Sequence, residues 1–243
     1  MLIKAAINGG RTKAEHPAIP VTPEELALAV VESTAAGAGA IHLHVRAADG
    51  LESLAAEDVA RTLRAVRSAA PVAQVGVSTG EWIVPDPSRR LRAVTEWTER
   101  PDFASVNFHE AGAVELAHAL LSLGIGVEAG LCNVYAAEQY RRSGLWSRCM
   151  RILLEPQEQT LDDARRTIGE IEAVLDRAGI GLPRLLHGTE ATSWQIMDHA
   201  ISLGYAIRIG FEDTLKLPDA TPARSNAELV SEAVRRVRLA VAV

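Results

Sequence analysis

Aromatic residues and cysteines are both scarce in this chain. Aromatic residues make up only 4% of the sequence against 48% hydrophobic residues overall, so a core has to be built from Ala, Val, Leu and Ile. The two cysteines, Cys132 and Cys149, are too few for a disulfide framework or a four-cysteine zinc site. A disulfide-rich secreted scaffold is therefore excluded.

An excess of positive charge and long apolar runs are also missing. The formal net charge of -6 provides no basic face for nucleic acid or an anionic membrane. No uninterrupted apolar run approaches the length of a transmembrane helix, and the first residues lack the pattern of a signal peptide. We therefore expect a cytoplasmic protein without nucleic-acid or membrane partners.

Eight short apolar runs with β-propensity recur along the chain, separated by longer stretches of helical pattern. Most of these runs are continuously apolar, as in strands that are covered on both faces. We predict strands at residues 3–8, 40–45, 72–77, 103–107, 125–129, 151–154, 184–187 and 206–211. We predict helices at residues 23–36, 56–69, 87–99, 113–123, 136–143, 161–178, 193–203 and 225–240.

Eightfold alternation of strand and helix predicts an α/β fold with a parallel sheet, and without a long linker it favours a closed (β/α)8 TIM barrel. We expect one catalytic domain over residues 1–243. An open doubly wound sheet is the alternative. It is disfavoured because the segment NGGR at residues 8–11 lacks the GxGxxG spacing of a phosphate-binding turn.

The segment IHLHVR at residues 41–46 is the strongest chemical signal. Strand alternation places His42, His44 and Arg46 on one side, and two imidazoles one residue apart can bind the same metal. Two hydrogen-bonded core histidines are the alternative interpretation. Because unpaired burial of both rings is unfavourable, we predict a metal site.

The segment RIGFEDT at residues 208–214 offers a third ligand, Glu212, at the end of the eighth strand. Strands two and eight both flank strand one in a barrel, so Glu212 can meet the histidines at the mouth where barrel enzymes hold their chemistry. A solvated acidic loop is the alternative for Glu212. Asp213 and Arg208 can form a carboxylate–guanidinium pair near the metal, in which Asp213 serves as a base or anion anchor. A plain salt bridge is the alternative.

Other polar residues lie near the predicted strand ends. Ser78 and Thr79 follow strand three and Asn107 ends strand four, where each can bind a carboxylate or carbonyl oxygen. Glu128 is flanked by apolar residues at the end of strand five, where a carboxylate has to be paired or functional. His187 can line the same mouth, whereas we interpret His16, His109, His118 and His199 as loop or helix-surface residues.

Several of these segments together resemble one enzyme family. The segments TKA (12–14), PVTPEE (20–25), IHLHVR (41–46), STG (78–80) and RIGFED (208–213) are similar, in this order, to segments of the β-keto acid cleavage enzymes. The HxHxR and RxGxED segments are the specific ones. The resemblance spans nearly the whole chain.

The resemblance implies a zinc-dependent barrel that condenses a β-keto acid with acetyl-CoA, giving acetoacetate and the CoA thioester of the remaining acyl group. It implies one zinc ion per chain on His42, His44 and Glu212, acetyl-CoA as cosubstrate, a base that acts on the acetyl-CoA methyl group, and a homo-oligomer, either dimer or tetramer. We predict catalytic roles for Asp213, Arg208 and Glu128, and substrate contacts for Ser78, Thr79, Asn107 and Arg46.

Two loops depart from the family pattern. Glu81 and Trp82 follow strand three where further glycines are usual, and Phe108, His109 and Glu110 follow Asn107 where small residues are common. Thr214 replaces the usual asparagine after Glu-Asp. The alternatives are another metal-dependent barrel lyase or hydrolase that does not use CoA, and a barrel that binds a small molecule without catalysis.

Overall fold

Eight parallel strands close into one barrel in a computed structural model that describes residues 1–241. Each strand pairs with its neighbours in chain order, and the last pairs with the first. The predicted (β/α)8 barrel is confirmed. The strands are β1 (Ile3–Ala6), β2 (Ala40–Leu43), β3 (Val75–Ser78), β4 (Phe103–Asn107), β5 (Gly126–Leu131), β6 (Arg151–Leu154), β7 (Arg184–Leu186) and β8 (Ala206–Ile209).

One α-helix follows each strand and covers the outside of the barrel. The helices are α1 (Pro23–Ala35), α2 (Ala56–Ala69), α3 (Pro87–Thr95), α4 (Ala113–Ser122), α5 (Val134–Ser143), α6 (Leu161–Arg177), α7 (Ser193–Ser202) and α8 (Asn226–Val241). Two short 3-10 helices lie at Leu145–Ser147 and Glu190–Thr192. Among residues 1–241, no helix is both long enough and apolar enough to cross a membrane.

Local sequence signals explain where the helices start. Thr22 caps α1 through its side chain, and Glu25 completes a capping box by accepting from the backbone of Thr22. Pro23 occupies the first turn, where its missing N–H is not needed.

The outward residues of the strands, such as Leu43 and Val77, are fully covered and pack in one hydrophobic core with the inner faces of the helices.

Several strand boundaries differ from the prediction by one to three residues, and two of the differences have a clear local cause. Val72 is 94% exposed, and β3 begins only at Val75, whose N–H donates to the Asp102 carboxylate. Strand β8 ends at Ile209 rather than residue 211. The carbonyl of Gly210 accepts from the N–H groups of Asp213 and Thr214 at 2.9 and 3.0 Å, which turns the chain out of the sheet.

A buried ionic cluster crosses the barrel interior below the mouth. Glu128 lies in the middle of β5 and has no exposed surface, so its predicted position at the strand end is wrong. Its carboxylate contacts Lys4 Nζ at 2.5 Å and Arg151 Nε at 2.8 Å. The Phe103 ring lies against both cations. Because Glu128 supplies the counter-charge for two buried cations inside the barrel, its burial has a structural explanation.

We predict that Glu128→Ala lowers the free energy of unfolding by about 3–5 kcal/mol, because it leaves Lys4 and Arg151 buried without a counter-charge. Chemical denaturation of the purified variant measures this. Glu170→Ala is the matched control on the exposed face of α6, with an expected change within about 0.5 kcal/mol. Equal stability of the two variants would contradict the proposed role of the cluster.

Candidate active site

The carboxyl ends of the strands open into a cavity of about 340 Å³. On one side it is lined by residues of β2, β8 and the turn after β8, which are His42, His44, Arg208 and Glu212. The opposite side belongs to β4, β5, β6 and the loops after them, with Asn107, His109, Cys132, Glu155 and Gln157. This is the end of the barrel where enzymes of this fold carry their chemistry.

The end of β1 holds both ligand-bearing segments by main-chain hydrogen bonds. The N–H of Ile7 donates to the carbonyl of His42 at 3.0 Å, and the carbonyl of Ala6 accepts from the N–H of Glu212 at 3.1 Å. The Asn8 side chain then pairs with the backbone of His44, accepting from its N–H and donating to its carbonyl at 2.8 Å each. The predicted meeting of strands two and eight across strand one is confirmed.

Two glycines let this junction close. A Cβ atom on Gly210 would lie 2.0 Å from the carbonyl oxygen of Ala6, so a side chain there would push β8 away from β1. Gly9 has a φ of +56°, and a Cβ on it would lie 2.5 Å from Cγ of Glu212. Glycine at both positions therefore places the Glu212 side chain against β1.

His42, His44 and Glu212 converge on one point. Their ligand atoms lie within 4.8 Å of one another. One carboxylate oxygen, Oε2 of Glu212, is 3.5 Å from Nε2 of His42 and 3.4 Å from Nε2 of His44. Nε2 of His44 and Oε2 of Glu212 are buried and have no hydrogen-bond partner among the described residues. Orphaned buried atoms facing one point are the arrangement that a shared cation satisfies.

The other ring nitrogen of His44 is held by a carboxylate. Nδ1 of His44 lies 2.5 Å from Oε1 of Glu52, and the indole N–H of Trp82 also contacts that carboxylate at 3.1 Å. The Trp82 ring stacks on the His44 ring with their centroids 6.1 Å apart. A carboxylate behind a histidine fixes the tautomer that presents Nε2 to a metal.

The charges at this point suit one cation, which is either a proton on His44 or a metal ion that displaces it. Burial holds the pKa of His42 well below its ordinary value, so this ring is neutral at pH 7 and has a free lone pair. Burial also disfavours charge on His44, but Glu212 and Glu52 outweigh it and raise the pKa of His44 to about 9. Burial opposes ionisation of Glu212 as well, yet Arg208 and the histidines hold its pKa well below the usual range.

Arg208 and Asp213 form a buried ion pair that extends to His187. The Arg208 guanidinium donates to Oδ1 of Asp213 at 2.6 Å and to Oε1 of Glu212 at 2.7 Å. Nδ1 of His187 lies 3.3 Å from the same Asp213 oxygen. Asp213 has no exposed surface and does not line the cavity, whereas Arg208 and His187 do. Asp213 is therefore connected to the cavity through these two residues and does not itself reach it.

This network also sets the protonation of its members. Burial opposes ionisation of Asp213, but Arg208 and His187 outweigh it and lower the pKa of its carboxyl group. Burial and the nearby Arg208 disfavour charge on His187, whereas Asp213 and Glu155 favour it, and the net pKa of His187 is raised. His187 is thus a cavity-lining group that can accept a proton beside a fixed carboxylate.

Two of the four predicted substrate contacts line the cavity. Ser78 and Asn107 do so, at the ends of β3 and β4. Thr79 is buried and donates to the carbonyl of Ser105 at 2.6 Å, outside the cavity lining. Arg46 donates to the carbonyls of Gly9 and Arg11, the latter at 3.1 Å. Its guanidinium therefore holds the loop after β1, and this geometry does not support contact with substrate.

Several cavity residues were missed by the sequence analysis. His109, interpreted as a loop-surface residue, lines the cavity, and its Nδ1 lies 3.2 Å from Sγ of Cys132. Glu155 and Gln157 follow β6 and line the same wall. Their position directly after a strand was the available signal. Glu52 carried no such signal in the sequence, because its loop meets His44 only in the folded structure.

Comparison with curated proteins gives two informative relatives. The chain is 28% identical over 249 residues to the 3-keto-5-aminohexanoate cleavage enzyme of Fusobacterium nucleatum, covering 97% of this chain and 90% of that protein. It is 28% identical over 261 residues to the 3-oxoadipate:acetyl-CoA acetyltransferase of Cupriavidus necator, covering 95% of this chain and 86% of that protein.

Comparison with solved structures supports the fold. ObcA, in a ternary complex with a C4-CoA adduct and oxalate, superposes with a TM-score of 0.70 at 20% identity. The match covers 93% of this chain but only 65% of ObcA. The thiamine phosphate pyrophosphorylase from Pyrococcus furiosus, at 11% identity, has a TM-score of 0.58. At these identities the likeness concerns the barrel alone.

The family assignment comes from the sequence as a whole. The model of the beta-keto acid cleavage enzyme family matches residues 1–158 and 133–241, which together span nearly the entire chain. The resemblance carried by the HxHxR and RxGxED segments is thereby confirmed. The chain is an enzyme, and it belongs to the beta-keto acid cleavage enzyme family.

Proposed function

We propose that this enzyme binds one zinc ion per chain and exchanges acyl groups between a β-keto acid and acetyl-CoA, releasing acetoacetate and a new acyl-CoA. The observation that carries the proposal is the convergence of His42, His44 and Glu212 at the mouth of the cavity. The name of the Cupriavidus necator relative, an acetyl-CoA acetyltransferase, supports acetyl-CoA as cosubstrate.

The donor set fits zinc. Two histidines and one glutamate are a ligand combination of catalytic zinc sites, which leave a position open for substrate. The orphaned Nε2 of His44 and Oε2 of Glu212 face the same point, and Glu52 supports His44 from behind. A divalent cation held there supplies Lewis-acid polarisation of the substrate's keto oxygen.

The atom balance identifies the carbon that loses a proton. Acetoacetate contains carbons 1 and 2 of the β-keto acid joined to the acetyl group. The bond between carbons 2 and 3 and the thioester bond of acetyl-CoA therefore break, while a bond from carbon 2 to the acetyl carbonyl and a new thioester form. The base acts on carbon 2 of the β-keto acid, rather than on the acetyl-CoA methyl group that the resemblance suggested.

His187, Asp213 and Arg208 provide the proton transfer in this proposal. His187 lines the cavity and accepts the proton, while the Asp213 carboxylate at 3.3 Å stabilises the resulting imidazolium. Arg208 holds Asp213 ionised and in place through two donors. Asp213 thus acts through His187.

The cytoplasmic location and the homo-oligomeric state stay predictions of the sequence.

We expect purified enzyme to contain about one zinc ion per chain, and His42→Ala to lose it, because two remaining ligands bind zinc weakly. Elemental analysis by mass spectrometry measures the content. His118→Ala, on the exposed surface of α4, is the control and should keep the metal. Metal-free wild-type enzyme, or full occupancy in His42→Ala, would overturn the assigned site.

We expect Asp213→Asn to keep the metal but to lower kcat by at least about 100-fold, because an amide does not stabilise a protonated His187. His187→Asn should show the same pattern. Asp162→Asn, an exposed position in the first turn of α6, serves as control for the charge change. Loss of metal from Asp213→Asn would instead make Asp213 part of the metal site.

A panel of β-keto acids, each assayed with and without acetyl-CoA, tests the reaction itself. We expect turnover only with acetyl-CoA, and a ¹³C label at carbon 2 of the β-keto acid should appear in acetoacetate, because that carbon forms the new bond. Mass spectrometry of both products follows the label. Equal cleavage without acetyl-CoA would make the enzyme a lyase or hydrolase.

A further inference from the structure

The cavity wall opposite the histidine pair presents hydrogen-bond acceptors. Asn107 and Glu155 lie on this wall, at the ends of β4 and β6, on either side of β5. A Cβ atom on Gly130 of β5 would lie 2.5 Å from Oε1 of Glu155 and 2.7 Å from Oδ1 of Asn107. Glycine therefore leaves room for both oxygens to come together over one point of the strand.

The orientation of the Asn107 amide is fixed by its neighbour. Nδ2 of Asn107 donates to Oε1 of Glu110 at 2.7 Å, so the amide group presents its oxygen toward Gly130 and Glu155. Glu110 is itself held by Arg90, at 3.4 Å, and by the backbone N–H of Glu81, at 3.0 Å. Asn107 is thereby committed to act as an acceptor toward the cavity.

Neither acceptor oxygen has a donor among the described residues. Oδ1 of Asn107 accepts no hydrogen bond, and Glu155 contacts only His187 Nε2, through its other oxygen and at 3.7 Å. Two acceptor oxygens that face the same point are stabilised when one donor group binds both of them. Both oxygens are therefore available to a donor group of a ligand in the cavity.

No lysine or arginine with an unpaired charge faces this pair of oxygens among the described residues, and His187, 3.7 Å from the other oxygen of Glu155, is shared with Asp213. Arg208 is the one lysine or arginine lining the cavity within residues 1–241, and its guanidinium is bonded to Glu212 and Asp213. A carboxylate at the distal end of a substrate would therefore meet acceptors without a counter-charge. An ammonium group would meet one carboxylate and one carbonyl, which suits its three donors.

We propose that Asn107 and Glu155, over Gly130, form the subsite for the distal end of the β-keto acid, and that this subsite takes a substrate with an ammonium group. The inference rests on the proposed function, because it takes the β-keto acid as the ligand of the cavity. Of the substrates in the relatives' names, 3-keto-5-aminohexanoate has such a group and 3-oxoadipate has a carboxylate instead.

The test compares three β-keto acids with similar chains: 3-keto-5-aminohexanoate, 3-oxohexanoate and 3-oxoadipate. Dissociation constants are measured by calorimetry without acetyl-CoA, so that binding is read independently of turnover. We expect the amino compound to bind at least about tenfold more tightly than 3-oxohexanoate, because a hydrogen bond to a charged group contributes that much, and 3-oxoadipate to bind most weakly.

Glu155→Gln should abolish most of this tenfold preference, because the amide keeps the shape of the side chain but removes the charge. Gly130→Ala should reduce it as well, by displacing both oxygens. Glu81→Gln is the matched control, since this exposed side chain near the mouth does not line the cavity. A loss of charge there should leave the preference intact.

The outcomes separate this subsite from the other roles of the cavity. An equal affinity for all three acids, a preference that survives in Glu155→Gln, or the same loss in Glu81→Gln would overturn the subsite. An effect of Glu155 through His187 would change kcat equally for every substrate and leave the ratio of dissociation constants unchanged, which also contradicts it. Tight binding of the amino compound without turnover would instead refute the proposed function alone.

Discussion

The candidate site depends on the main chain at the end of β1. Ile7 donates to the carbonyl of His42 on one side, and Ala6 accepts from Glu212 on the other, so one peptide segment sets the spacing of ligands that are 170 residues apart in the chain. Backbone hydrogen bonds in a barrel are shielded from water, and the parallel ladder fixes their register. The two imidazoles and the carboxylate consequently meet without a flexible loop having to bring them together.

Ionic groups inside the barrel divide into two clusters with different surroundings. Glu128 is paired with Lys4 and Arg151, and all of its charged contacts lie within the barrel interior. The cluster of Arg208 and Asp213 differs because Arg208 and His187 continue to the cavity wall. The same kind of buried salt bridge is therefore structural in one position and available for chemistry in the other, and access to the cavity makes the difference.

The cavity itself is asymmetric. The wall of β2, β7 and β8 concentrates the groups that we propose hold a cation and move a proton, whereas the wall of β4 to β6 carries oxygen acceptors over a glycine. A β-keto acid has its reactive carbonyl near one end and its variable group at the other, so such a division lets one wall serve the shared chemistry while the other selects the substrate. Trp82 stacks on His44, and its indole N–H donates to the Glu52 carboxylate.

The sequence by itself determined the barrel, most strand positions and the candidate ligand set of His42, His44 and Glu212, because these features follow from hydrophobic periodicity and from residues at strand ends. The tertiary structure decided what periodicity does not encode. Gly210 turns the chain before Glu212, so the carboxylate reaches the histidines from a turn rather than by strand alternation. Glu52, Glu155 and His187 acquire their partners only when distant loops meet at the mouth. The interior position of Glu128 likewise depends on Lys4 lying across the barrel, a contact between residues 124 positions apart.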